Sequence, residues 1–206
     1  MKTEMKCLKE FRSKDPTRYY LNELQVTKDF VCSTDGHRAF FLNFNGGELA
    51  GKCCYFDIFE NNMQLIEAKD FKSPNVMSFV PQYKKSDFNI VDVTLPKWFK
   101  YLKTKSWSGI GVTIDKDFNF LIGSNENKLI SFNPSFLTPL VDFESVRIHF
   151  KDELTAFLVT PQKDFKEYTE LPWFAVIMPM RSDNEKLLKL VNRRVEKKLE
   201  RQQLNA

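Results

Sequence analysis

Residues 18–44 read RYYLNELQVTKDFVCSTDGHRAFFLNF. Runs 18–27, 30–33 and 39–44 are rich in β-branched and aromatic residues, the composition of strands. Lys28-Asp29 separates the first two, and Asp35 and Gly36 supply the turn before the third. The stretch therefore predicts a hairpin with its tip at Lys28-Asp29-Phe30, followed by a return strand.

Outward from this stretch the chain stays mostly β. Runs 53–60 and 63–68 flank Asn61-Asn62, a good tight-turn pair. Runs 111–114 and 118–122 flank Asp115-Lys116-Asp117, and 146–150 and 154–159 flank Lys151-Asp152. Run 174–178 is one more apolar strand. Helices are fewer. In 3–13, Met5, Leu8 and Phe11 fall on one side and Lys2, Lys6 and Lys9 on the other. In 96–105, which opens on Pro96, Trp98, Phe99 and Leu102 oppose Lys97, Lys100 and Lys103. A third helix is expected over 135–143, with Pro139 awkwardly inside it. Ser182-x-x-Glu185 is a capping box before a final helix, 184–203, striped with Leu188, Val191, Val195 and Leu199.

Composition bounds the function. The chain has 206 residues, 42% hydrophobic and 28% charged, with net charge +4. That describes a soluble globular protein without a membrane span or signal peptide. Residues 183–206 hold seven Lys/Arg and four Asp/Glu, so the rest, with 24 basic and 23 acidic residues, is nearly neutral. A polyanion would have to be met by a local cationic patch. Cys7, Cys32, Cys53 and Cys54 lack C-x-x-C spacing and read as reduced thiols of a cytoplasmic protein. No catalytic residues, metal or cofactor are expected. A nuclease would need clustered carboxylates or histidines, and Asp35 near His37 is the only close pairing. Asp115 and Asp117 read as turn residues.

A weak repeat runs through the chain. The hairpin tips Lys28-Asp29-Phe30 and Lys116-Asp117-Phe118 lie 88 residues apart, and hairpins 56–66 and 147–157 recur at a similar offset. Each half then reaches a proline-centred segment, FVPQY at 79–83 and IMPMR at 177–181.

Five segments together carry a resemblance. RYYLNELQV (18–26) and STDGHR (33–38) resemble the middle domain of the bacterial β sliding clamp, the DNA polymerase III processivity factor. VPQYKK (80–85) is similar to the F-P-D-Y-R-R segment leading into that protein's final domain. SFNPSFLTPLVDFESVRIHF (131–150) resembles the final domain's second helix and following strand, and VIMPMR (176–181) its last residues. The resemblance implies an α+β fold: two DNA-clamp-like domains, helices backed by antiparallel sheets, plus a C-terminal amphipathic helix. The domains would be 1–90, like the middle domain, and 91–182, like the final one, joined near 87–93, with 183–206 as a helical extension.

The resemblance also implies a function and its sites. The chain would be a processivity factor, not an enzyme, in a bacterial cell's cytoplasm, and its AT-biased composition suggests a phage version. It would contact double-stranded DNA non-specifically through Lys2, Lys6, Lys9, Lys97, Lys100 and Lys103, although such rows taken alone are ordinary solvated faces. Polymerases and other clamp-binding proteins would insert a peptide tail into a pocket between the domains. Its wall would be Leu21, Thr34, Gly36, His37, Arg38, Pro81, Val176, Met178, Pro179, Met180 and Arg181, with His37, Arg38 and Arg181 taking the peptide's polar groups. A two-domain chain would close a ring as a head-to-tail trimer; a monomer or dimer remains the other outcome.

Two departures qualify this. NGGELAG (45–51) stands where the family has a second helix, so the first domain lacks one inner helix, and Asp142 is the only ionisable residue of the third expected helix. The family also ends near the position of Arg181. The added segment could pack on its own subunit, bind another, lie across the pocket, or touch DNA through Arg193, Arg194, Lys197 and Lys198. The alternative function is a clamp mimic that binds a host clamp or its partners without encircling DNA.

Overall fold

The computed structural model describes residues 2–59, 62–72, 74–97, 112–114, 120–122, 130–152 and 154–179. Its centre is a nine-stranded antiparallel sheet. The first half of the chain supplies β1 (Leu24–Val26), β2 (Phe30–Thr34), β3 (Arg38–Asn43), β4 (Lys52–Phe59) and β5 (Asn62–Lys72). The second half supplies β6 (Asn89–Thr94), β10 (Ser145–Phe150), β11 (Phe157–Thr160) and β12 (Trp173–Ile177), while β7 (Val112–Ile114), β8 (Phe120–Ile122) and β9 (Ile130–Phe132) form a separate three-stranded sheet. The large sheet runs β5-β4-β1-β2-β3-β12-β11-β10-β6. The halves join where β3 pairs with β12, from Trp173 opposite Leu42 to Ile177 opposite Arg38.

Both faces of the sheet are covered at its centre, so β2, β11 and β12 are buried at every position. Period-two alternation divides their side chains between two cores. On the first face lies α1 (Lys2–Glu10), which buries Met5, Cys7 and Leu8. With Phe11 and a 3-10 helix at Thr138–Phe143 it covers Phe40, Trp173, Ile177 and their neighbours. Phe40 touches Phe11, Phe143 and Trp173 at centroid distances of 5.6, 6.5 and 5.7 Å. On the second face, Phe30, Phe41 and Phe174 stack with Tyr168 beneath residues 74–88 and 165–171. Each such ring, fully buried, contributes roughly 1.5–3 kcal/mol relative to exposure.

The expected hairpins over 53–68 and 146–159 are present as β4–β5 and β10–β11, and α1 lies within the expected first helix. Residues 45–51 hold only a 3-10 turn, Gly47–Leu49, and no α-helix. Elsewhere the local reading needs correction. Only Leu24–Val26 of run 18–27 is strand; Pro16–Leu21 is 3-10, bent at Arg18. Asp15 starts that turn by accepting the Thr17 N–H (2.9 Å) and hydroxyl (2.7 Å). The helix expected over 135–143 is two 3-10 segments, Pro134–Phe136 and Thr138–Phe143, because Pro139 lacks the N–H that a continuous α-helix would donate to the Ser135 carbonyl. The stretch 87–93, expected to join the halves, is largely β6, an edge strand paired residue for residue with β10. The real connection is 74–88, which wraps the second face. The paired hairpins of the repeat also assemble differently: β2 lies between β1 and β3, whereas β7 lies between β8 and β9. Helices expected over 96–105 and 184–203 lie outside the described residues beyond Lys97 and Pro179.

Candidate functional site

The turn between β2 and β3 opens onto the second face at the seam of the two halves. Thr34 Oγ1 accepts the Gly36 N–H (3.1 Å) and donates to the Arg38 carbonyl (2.7 Å). Asp35 Oδ1 accepts the N–H groups of His37 (3.0 Å) and Arg38 (3.1 Å). Gly36 sits at φ +89°, a conformation that disfavours any side chain. Across the seam, the Met178 N–H donates to the His37 carbonyl (2.9 Å), which fixes the end of β12 against the turn.

A cavity of about 220 Å³ lies in this corner. Leu21, Thr34, Gly36, His37, Arg38, Val176 and Met178 line it, together with Ala39, Pro74, Val76 and Phe79. The walls are chiefly aliphatic and aromatic, and backbone and hydroxyl groups are already satisfied within the turn. Such a hollow accepts an apolar side chain by area and shape rather than by charge.

Seven of the eleven residues expected to wall a pocket thus meet in one place. Pro81 and Pro179 do not line it. The Pro81 carbonyl instead accepts the Tyr168 hydroxyl at 2.6 Å, which turns that residue toward the second-face core. Met180 and Arg181 lie outside the described residues. Sequence reading missed Ala39, Pro74, Val76 and Phe79. The signal was present: Ala39 pairs with Val176 in register, and Val76 and Phe79 are an apolar pair three residues apart before VPQYKK.

Arg38 departs from its expected role as a free rim cation. Alternation along β3 sends Ala39 toward the pocket and the Arg38 side chain to the opposite face. There its guanidinium donates to Asp35 Oδ2 (2.9 Å) and to the carbonyls of Ser135 (3.1 Å), Phe136 (3.1 Å) and Glu10 (3.0 Å). It also lies over the rings of Phe11 (4.6 Å) and Phe136 (5.5 Å). Arg38 therefore staples the turn to α1 and to the 134–136 segment, with four of its five N–H donors engaged there. His37 is exposed and stacks on Phe136. A second, polar hollow shares His37 and Arg38 and is lined also by Arg12, Lys14, Asp15 and Arg18.

On α1, Lys2, Lys6 and Lys9 are exposed on the side away from the core. Lys6 is paired with Asp142, whose carboxylate raises the ammonium's pKa. Lys97 is exposed, and Lys100 and Lys103 lie outside the described residues. Asp35 is engaged by Arg38 and the turn backbone. Among the described residues, no three His, Cys, Asp or Glu side chains are grouped to hold a metal. Among them, too, no helix is long and apolar enough to cross a membrane.

No family model matches the chain, and no curated protein matches it by sequence. Solved structures do match. The DnaN sliding clamp, DNA polymerase III subunit beta, of Pseudomonas aeruginosa superposes with a TM-score of 0.55 at 16% identity, over 87% of this chain and 64% of that one. That of Bartonella birtlesii gives 0.59 at 14% identity, over 88% and 64%. The DNA polymerase III beta subunit of Thermotoga maritima gives 0.55 at 15%, over 87% and 63%. The fold is that of a bacterial sliding clamp. The clamp-like chain spans less than two thirds of the length of the clamps it matches.

Proposed function

We propose that the chain is a shortened sliding clamp, a non-enzymatic processivity factor that captures the peptide tails of a DNA polymerase and other clamp-binding proteins. The carrying observation is the apolar cavity at the β3–β12 seam, walled by residues from both halves. A short apolar motif would enter it while its backbone follows the turn at 34–37. Residues 1–88, through β5 and the connection, and 89–182, from β6 onward, serve as two clamp-like modules, and 183–206 as an extension. The lysines of α1, with Lys97, Lys100 and Lys103, meet duplex DNA through phosphates alone, which permits sliding. Terminal strands β5 and β6 each have one edge unpaired among the described residues, which favours head-to-tail closure of three copies.

The test is a titration of a fluorescent polymerase-tail peptide of the kind bacterial clamps bind. Met178 is 44% exposed, so Met178→Asp spares the core while placing charge in the pocket. Binding weakened by about five- to 150-fold is expected, since a buried charge or lost apolar wall costs about 1–3 kcal/mol. Equal binding by both proteins would remove the pocket from the mechanism.

The 3-10 turn at Gly47–Leu49, in place of a second inner helix, favours a second reading. In it the protein is a clamp mimic that takes partner peptides, or joins a host clamp, without encircling DNA. Peptide binding with no retention on closed circular duplex would select that reading.

A further inference from the structure

Two side chains lining the pocket remain partly in solvent: Phe79 is 39% and Met178 44% exposed. Apolar surface gathered at a concave site is a site of contact with something else. The chain itself leaves from this pocket. Met178 is pinned to the His37 carbonyl, Pro179 follows, and 27 more residues remain. They include Leu188, Val191, Val195 and Leu199 at helical spacing behind the Ser182-x-x-Glu185 capping box. An apolar stripe on so charged a segment needs a surface to cover it. Nine residues separate Met178 from the first of the four, Leu188, a reach of up to roughly 30 Å of extended chain. The pocket that the segment has just left is an uncovered apolar surface within that reach.

We propose that residues 183–206 fold back and occupy the pocket with this apolar stripe, so that the chain shields its own partner site. The proposal rests on the reading of the cavity as a peptide site and adds its regulation. A segment tethered this closely acts at an effective concentration in the millimolar range. A free peptide of modest affinity is then excluded, while a tightly binding partner displaces the tail and opens the site. Exposed Phe79 and Met178 are covered in the shielded form and do not favour non-specific association.

The experiment uses full-length protein. A fluorescein-labelled synthetic peptide of residues 183–206 is titrated against the wild type and against Leu188→Asp/Val191→Asp/Val195→Asp, whose own tail has lost the stripe. Binding to the triple variant at least about tenfold tighter than to the wild type is expected. Adding Met178→Asp, or separately Phe79→Asp, to the triple variant should abolish that gain. Equal binding to wild type and triple variant, binding indifferent to both pocket substitutions, or no binding to any form would overturn the proposal. A labelled polymerase-tail peptide separates it from the reading beneath it. If that peptide binds wild type and triple variant alike, self-shielding fails and the partner site stands. If the 183–206 peptide behaves as expected and the polymerase-tail peptide binds neither protein, self-shielding stands and the partner reading fails.

Discussion

Two polar residues, one half-buried and one buried, do more than their types announce. Arg38 gives four hydrogen bonds to three separate segments and lies between two rings. Lysine has neither the planar fork nor the donors to replace it. Arg38→Lys should therefore destabilise the fold by about 2–3 kcal/mol, seen as a lowered urea midpoint, because carbonyls at 10, 135 and 136 lose their partner. His149 is 1% exposed. Thr160 Oγ1 donates to the Pro161 carbonyl and so accepts from His149 Nε2 at 2.9 Å, leaving Nδ1 to accept the Tyr83 hydroxyl at 3.3 Å. Both nitrogens are satisfied in the neutral ring. Burial, aided by the positive charge of Arg147 and of Lys85 and opposed by Asp92 and Asp164, lowers its pKa from 6.5 to about 4. The folded state thus resists a proton that the unfolded chain accepts, and stability falls as pH drops through 6.5 toward 4. Between pH 7 and pH 5 the loss should be about 2 kcal/mol, and His149→Gln should flatten urea midpoints over that range. Asp92, held below the usual carboxylate range chiefly by its hydrogen bond from Arg147, and Asp164, held there chiefly by Lys85, act only at lower pH. STDGHR was legible as a turn because its bonds are local: Gly36 donates to Thr34, and His37 and Arg38 donate to Asp35. The stapling role of Arg38 was not, since Ser135 and Phe136 lie 97 and 98 residues away.

Among the elements, α1 separates its duties by face. Met5, Leu8 and Phe11 hold it to the sheet, and the lysines look outward. Lys6 is tied to Asp142, so Lys2 and Lys9 are the α1 lysines most available to phosphates. Lys2→Glu/Lys9→Glu should weaken duplex binding and lower the slope of log affinity against log salt by about 2, measured by fluorescence anisotropy at several salt concentrations. An unchanged slope would take α1 out of the DNA-facing surface. Amphipathic spacing made α1 readable. Run 18–27 misled because its aromatic residues suit a strand, while the side chain of Asp15 and the ring of Pro16 commit the chain to a turn first. Strand β6 was hidden in an expected connection, although NIVDVT alternates and buries Val91 and Val93.

At the level of the whole molecule, the pairing of halves was legible and its detail was not. The order of segments matching a clamp implied a pocket between modules, and residues from both halves do meet there. Its fourth wall, Pro74 to Phe79, depends on how 74–88 drapes over Phe41, which no local pattern encodes. Closure of three chains is expected to give a particle of about three times 24.3 kDa by light scattering, and a strict monomer at high concentration would exclude a ring. The unbroken ladder through β3 and β12 also decides where such a ring could part. With rings packed above and below that junction, bending the chain at its middle would tear two cores at once. In such a ring a gate for duplex entry would belong at the outer margins, where β6 offers only six residues to a neighbour.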